Sequence, residues 1–470
     1  MDATLSLQNA LTGLRAAQAN IAVISSNISN SQTPGYSREV VPLSTQVVAS
    51  VGAGVLVGVT QREVDSNLAN AARQQDTAAS AASATNTYFQ QIQSLFGQVN
   101  DGSSLGDVFN KFSSALQTLS TSPDDAVAQQ SAVAAGQSLA QKLNSVSAGI
   151  QQIRAGADSQ IAADVQTVNT QLQNIAQYNA AITHDKATGQ STATLEDQRD
   201  QALDQISKLM GVQDFTRPDG TMVVLTTSGQ VLVDSSAQTL SYTATGTVTA
   251  NSVLSPLKVG GIDITSSTTT GEIGSLLSMR DTQLPNLTAE LNQFANNLFS
   301  ATQTANLGTT NSGLGATNDA NHFFAAVDLT NGVDNASTIQ VHPDLVSNAA
   351  LLDGPTSSPD PTISQALANA LSQPLTFAAA GNFSSPTTTT LSSYAGQILG
   401  QTASATAAAS DNAQFQSNLR STFAARASAV SGVNVDQELA NLTVYQNMYA
   451  ASAHVLSAVD NMLNTLMQIQ

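Results

Sequence analysis

Apolar residues recur at helical spacing at both ends of the chain. Leu7, Leu14, Ile21 and Ile28 stand seven apart, with Leu11, Ala17 and Ile24 between them. Val435, Leu442, Tyr449, Leu456 and Leu463 repeat the pattern at the other end, with Leu439, Tyr445, Val459 and Leu466 filling the stripe. A sustained heptad stripe predicts a long helix with one apolar seam. Asn, Gln, Ser and Thr flank both seams where a solitary soluble helix would carry ion pairs four residues apart. Each end is therefore expected to need neighbours on several sides, and to become ordered only on assembly into a larger array.

Proline placement maps the interior, because Pro is costly inside helices and central strands. It is absent from 43–122, from 124–217 and from 387 onward. Ser122-Pro123-Asp124-Asp125 has the composition of a helix start, with a capping hydroxyl, Pro at the first helical position and carboxylates at the positive end of the dipole. A long Ala- and Gln-rich helix should follow, broken near Gly149 and Gly156 and resuming through Ile175. Another should cover Leu195–Met210 and stop at Gly211. The period then becomes alternating. Met222–Thr226 and Val231–Asp234 face each other across Ser228-Gly229, a hairpin signal, and Leu240–Val248 and Leu257–Ile264 continue in Thr- and Val-rich fashion. Helical spacing returns at Ile273, Leu276 and Leu277, then Leu284, Leu287, Leu291, Phe294 and Leu298. Residues 311–395 are Gly-, Asn-, Thr- and Pro-rich with a weak β core at Ile339 and Val341, and a last interior helix runs through Phe415, Leu419 and Phe423.

The expected fold is mainly α with inserted β, in discontinuous nested domains whose terminal helices pair as a coiled-coil-like bundle. Residues 1–60 with 431–470 form a terminal helical assembly domain with an extended arm. Residues 61–210 with 273–310 and 396–430 form a helical domain, 211–272 a small β domain, and 311–395 an irregular outer insertion.

Composition narrows the function. Charged residues make up 10% of the chain and leave a net charge of -18, so no basic stripe exists to follow a phosphate backbone. The terminal helices also lack the basic polar face of a membrane-surface helix: Arg15 is the only basic residue before Arg38, and none follows Arg426. Zero Cys excludes disulfides and thiolate chemistry. His184, His322, His342 and His454 are scattered without metal-ligand spacing, which predicts surface or loop positions and no metal or cofactor. Asp2 and the polar residues after it predict no cleaved signal peptide. Gly102-Ser103-Ser104-Leu105-Gly106 fits the nucleophile-elbow pattern of serine hydrolases, but the helical spacing of Ile92, Leu95 and Phe96 denies it the preceding strand it needs. An adhesin built on Thr-rich repeats would show a period in 221–395, and none is present.

Asn27-Ile28-Ser29-Asn30-Ser31-Gln32-Thr33-Pro34-Gly35-Tyr36-Ser37-Arg38 resembles the signature that follows the first helix in bacterial flagellar rod, hook and hook-associated proteins. Thr33-Pro34-Gly35 can end the helix and turn the chain, and Tyr36 opens an extended arm. Ser431-Gly432-Val433-Asn434-Val435-Asp436-Gln437-Glu438 with Leu442, Tyr445, Gln446 and Tyr449 is similar to the carboxy-terminal signature of the hook-associated protein 1 family, with Gln437 where a second acidic residue is usual. Leu195-Glu196-Asp197-Gln198-Arg199-Asp200 and Gly271-Glu272-Ile273-Gly274-Ser275-Leu276-Leu277 with Arg280-Asp281 are similar to internal motifs of the same family. The resemblance implies a non-enzymatic structural subunit of the hook–filament junction, without catalytic residues. It implies export unfolded by the flagellar type III route, contact with hook protein, with the second junction protein and with an export chaperone at about Val435–Ile469, and self-association in a ring.

Overall fold

The computed structural model describes residues 2–48, 51–97, 102–303, 322–329, 334–353 and 359–468. Helix α1 (Asp2–Asn30) leads into an extended arm containing β1 (Glu39–Val40), the antiparallel pair β2 (Leu43–Val48) and β3 (Val51–Val57), and β4 (Gln61–Arg62), which closes back on β1. The body begins with α2 (Ser66–Phe96), α3 (Leu105–Thr121), α4 (Ala126–Thr188) and α5 (Ala193–Leu209). Two small antiparallel sheets follow: β5 (Val212–Thr216), β6 (Met222–Thr226) and β7 (Val231–Val233) in that order, and β8 (Leu240–Ser241), β9 (Lys258–Val259) and β10 (Ile262–Asp263) with β9 central. Helices α6 (Gly271–Ser278) and α7 (Leu284–Ala301) are joined through a π-helical turn. Short elements come next: β11 (Phe324–Ala325), α8 (Asn335–Thr338), β12 (Gln340–Val341), α9 (Pro343–Ser347), α10 (Thr362–Ser372), β13 (Leu375–Phe377) and β14 (Thr387–Thr389). Two long helices, α11 (Leu391–Ser431) and α12 (Val435–Gln468), complete the chain. The fold is thus mainly helical with inserted β, as expected.

Helix α4 runs for 63 residues without interruption, so the expected breaks at Gly149 and Gly156 do not occur. A glycine in a helix costs about 1 kcal/mol, and the buried stripe on both sides, from Leu139 and Leu143 to Ile161, Val165 and Leu172, outweighs two of them. Gly149 is a packing point instead: a Cβ there would lie 2.6 Å from the Leu95 side chain. The helix also starts later than expected. Asp125 is its cap, accepting the Val127 N–H at 2.8 Å, and Ser122 terminates α3.

One apolar cluster collects α3, the first half of α4, α7, α10 and the start of α11, including Phe109, Phe112, Leu143, Phe294 and Tyr394. Phe323, Phe324, Ile339, Leu345, Ile363 and Phe377 belong to the same cluster. The described parts of 311–395, expected as an irregular outer insertion, therefore seal the helical core. A second cluster joins the rest of α4 to α5, the two sheets and α6 through Ile161, Leu172, Leu203, Val224, Leu257 and Leu276.

Two expectations need correction, and one strand went unread. Only Leu240 and Ser241 of the Leu240–Val248 stretch are strand. Beyond them the Tyr242 hydroxyl and the Thr245 N–H donate to the fully buried carboxylate of Asp158, the latter at 2.6 Å, in place of a ladder. His322 and His342, expected on the surface, are buried: His322 stacks on Phe299 at 3.8 Å, and His342 caps α9. Strand β5 lacked an alternating apolar pattern, and its Asp214 pairs with Arg73 at 3.1 Å.

The π turn Met279–Gln283 precedes Pro285. Proline has no N–H and crowds the carbonyl four residues back, which a widened turn relieves. Arg280, on that turn, is 2% exposed and pairs with Asp158 at 3.2 Å, with Asp281 at 2.7 Å and with the Ser255 carbonyl at 3.0 Å. Burial opposes its charge, but Asp281 and Tyr242 more than offset this and raise its pKa.

Candidate assembly joint at the paired termini

Helices α1 and α12 pack antiparallel, since Asn27 meets Glu438 and a Cβ on Gly13 would lie 3.2 Å from Ser452 Oγ. The faces in contact take only part of the stripes read in the sequence, with Ala17, Ile24 and Val459 buried. On α1 the buried line is Ala10, Ala17, Asn20, Ile24 and Asn27, apart from Ile24 small or amide residues that let the backbones approach. Leu7, Leu14, Ile21 and Ile28 are half-buried beside it, and Leu11 is 39% exposed. On α12, Glu438 and Val459 are buried, Val435, Leu442, Tyr445 and Leu456 half-buried, and Leu439 and Tyr449 exposed. The side chains of Leu463 and Leu466 lie outside the described residues. Val444, Met448, Val455 and Met462 form a further, exposed apolar line on α12.

At the inner end of this pair the signature residues meet. Asn27 is 1% exposed. Its Nδ2 donates to the Glu39 carbonyl at 2.9 Å and to Glu438 at 3.3 Å, while its Oδ1 accepts from the Glu39 N–H and the Tyr36 hydroxyl, both at 2.9 Å. Helix α1 ends as the Thr33 N–H bonds the Asn30 carbonyl, and the Tyr36 N–H bonds Thr33. Arg38 donates to Glu438 at 2.8 Å and pairs with Glu63, and its own N–H holds the Ser431 carbonyl at 2.8 Å. Gly432 packs where a side chain would strike the Ser428 carbonyl. Asn434 caps α12, accepting from the Asp436 and Gln437 N–H groups. Val433 stands half-buried beside them. One buried amide thus joins the first helix, the arm and the last helix.

The arm is then tied to the body. Ser37 N–H donates to Asp197 at 2.9 Å, and Gln201 donates to the Pro34 carbonyl at 3.2 Å. Gly35 has φ +75°, and a Cβ there would lie 2.5 Å from Gln201, so glycine is required twice over. Arg62 reaches Asp197 at 2.7 Å, Asp200 at 2.8 Å and Glu196 at 3.0 Å. Burial disfavours the Arg62 charge, yet Asp200 and Asp197 hold its pKa above the ordinary value. Arg73 repeats the arrangement with Asp204 at 2.8 Å and Asp214. Burial, with Asp197 nearby, pushes the Glu39 carboxyl up. Arg199 of the same motif turns the other way, into the second core, where it donates to Asn179 and to the Gly220 carbonyl. The resemblance took in Arg62 as well as the Glu196–Asp200 motif, but Arg73 was missed. In a chain so poor in charge, any arginine near a cluster of carboxylates was the available signal.

Ser104 does not occupy a nucleophile elbow. It caps α3, accepting the Asp107 N–H at 3.1 Å, and the helix α2 precedes it. Among the described residues there is no cluster of metal-ligating side chains, and no helix is long and apolar enough to cross a membrane.

The two chain ends clasped by the Asn–Tyr–Arg–Glu joint and much of the helical body between them fall in segments that match families of flagellar axial proteins. The ends match two rod-protein families, described as flagella basal body rod protein over residues 7–36 and flagellar basal body rod FlgEFG protein C-terminal over residues 425–469. Between them the flagellar hook-associated protein FlgK helical domain matches residues 89–323, half of the chain. The chain belongs to the FlgK hook-associated protein family. It is 27% identical to flagellar hook-associated protein 1 of Escherichia coli K12 over 333 residues, covering 68% of this chain and 60% of that one. It is 24% identical to the Bacillus subtilis protein of the same name over 242 residues, covering 49% and 48%. The chain thus spans between about half and three fifths of the length of these relatives. The flagellar hook junction protein FlgK of Burkholderia pseudomallei is similar in structure with a TM-score of 0.46 and 25% identity, covering 55% of this chain and 46% of that one.

Proposed function

We propose that this protein is a structural subunit of the hook–filament junction that assembles as a ring on the distal hook through its terminal helices. The observation that carries this is the pair of apolar lines left beside the α1/α12 contact. Leu7, Leu11, Leu14, Ile21 and Ile28 on α1, and Val444, Met448, Val455 and Met462 on α12, have helical spacing and remain wholly or partly uncovered. Neighbouring subunits stacked around an axis would cover both, and burying one such side chain contributes about 2 kcal/mol. Coverage by neighbours also explains why the flanks carry amides instead of charges: like charges would be repeated at every contact of a ring.

In this reading hook protein lies below the ring and the second junction protein above it. An export chaperone holds the C-terminal helix, about Val435–Ile469, before export, and the ends become fully ordered on assembly. The terminal pair with its arm acts as the assembly domain, and the body projects outward. Restoration of flagellin polymerisation on bare hooks by added protein tests the assignment. The wild-type chain should restore it, while the double substitution Met448→Glu and Val455→Glu, with the body still folded, should not. Filament growth with the double variant would refute the interface, and failure of the wild-type chain would refute the junction role.

A further inference from the structure

The strap linking β13 to β14 closes over a group that the fold leaves half-satisfied. Glu290 of α7 has no exposed surface. Its Oε1 accepts the Asn382 N–H at 2.8 Å, and its Oε2 is buried without a hydrogen-bond partner. Asn286, one turn earlier, donates to the Asn382 side chain at 3.1 Å. Gly381, at φ +58°, lies so close that a Cβ would meet Glu290 Oε1 at 2.7 Å. The strap therefore presses its backbone onto the carboxyl itself.

A second unpaired group stands nearby. Tyr394 of α11 is fully buried and its hydroxyl has no partner. Phe377 of β13 stacks on its ring at 3.9 Å, and Phe383 of the strap packs at 5.2 Å. Tyr394 is the titratable group that faces Glu290 from α11 among the described residues, while the strap and α7 present the uncharged amides of Asn382 and Asn286. With no cation acting on it, burial pushes the Glu290 carboxyl up to about 7.

We propose that the 375–389 strap is a proton-held clasp, closed while Glu290 carries its proton and opened toward water when the carboxyl ionises. The neutral acid can donate as well as accept, and an internal water can link its unpaired oxygen to the Tyr394 hydroxyl. The carboxylate is hydrogen-bonded by Asn382 alone and has no counterion among the described residues, so its desolvation is poorly compensated unless the strap lifts. The sign follows: the clasp is tightest below the ordinary glutamate pKa of 4.5 and loses its hold as pH rises through about 7.

Hydrogen exchange of the full chain, normalised for the intrinsic pH dependence of exchange, tests this. Opening of 375–389 should increase about tenfold between pH 6 and pH 8, while peptides from the middle of α4 stay level. Glu290→Gln should abolish that increase, and Glu290→Met, of similar length, provides the same comparison if the amide folds poorly. A flat wild-type profile, or an undiminished slope in either variant, overturns the clasp without touching the junction assignment.

Discussion

Asn27→Ala is the sharpest single test of the joint, because one side chain holds three segments far apart in sequence. The substitution removes the bonds to the Glu39 N–H and carbonyl, the Tyr36 hydroxyl and Glu438, at 2.9, 2.9, 2.9 and 3.3 Å. A buried polar group left unpaired costs about 1–3 kcal/mol. Two of these partners belong to half-buried backbone, the Tyr36 hydroxyl is on a half-buried side chain, and buried Glu438 keeps its Arg38 partner, so the expected loss is about 2–4 kcal/mol, localised to the joint. Since about 1.4 kcal/mol is a factor of ten, exchange protection at 36–40 and 431–440 should fall by roughly 30- to 700-fold, with α4 and α7 unchanged. Asn27→Asp is the informative companion. It keeps the acceptor for the Glu39 N–H and the Tyr36 hydroxyl, loses the amide donors, and places a negative charge against Glu438. Its defect at pH 7 should shrink as pH falls into the carboxylate range. A loss below about threefold for the alanine variant, or a loss spread evenly over the molecule, would refute the reasoning.

Other substitutions probe independent contacts. Arg280→Met strands the buried carboxylate of Asp158 and should cost about 3–5 kcal/mol by chemical denaturation, with Asp158→Leu in the same chain recovering most of it. Gly35→Ala forces a side chain into Gln201 at a positive φ; it should raise protease cleavage of the arm by at least tenfold, and Gln201→Ala should relieve the clash but not the backbone strain. Asp164 is buried with one oxygen unpaired, and burial, with repulsion from Glu272, raises its pKa to about 6. Its folded form binds the proton more tightly than the unfolded form, so stability should fall as pH rises from about 4 to about 6, by on the order of 3 kcal/mol. Asp164→Asn should remove that slope from a pH series of thermal melts.

The terminal helices were legible because their leucines and isoleucines repeat at heptad spacing. The face they use within one chain was legible only at Ala17 and Ile24 on α1, since Ala10, Gly13, Asn20 and Asn27 carry no hydrophobic signal and matter through closeness and hydrogen bonding. The same limit explains the joint: the signature residues stood out by resemblance, but nothing in their spacing announced that Asn27 and Glu438 touch. Propensity misled at Gly149 and Gly156, where a buried stripe overrides local helix preference. It misled again at Leu240–Val248, where a buried Asp158 organises the backbone instead of a strand partner. Charge scarcity held a signal that the helical and strand periods did not, because Arg38, Arg62, Arg73 and Arg420 each join segments distant in sequence.

Helix α4 has a mechanical consequence. At 1.5 Å per residue, its 63 residues extend about 95 Å, and its two halves are embedded in different apolar cores. A continuous helix clad along its length behaves as a stiff beam, so the two cores cannot swing independently under load. More compliance is left at the connections to the clasped ends, in the arm with its two-residue strands and few side-chain bonds and in the three-residue link from α11 to α12. Bending or twisting stress applied to the body then reaches the clasped ends by two routes, the arm with Pro34–Gly35 and the Arg62 cluster, and the short link between α11 and α12 at Gly432–Asn434.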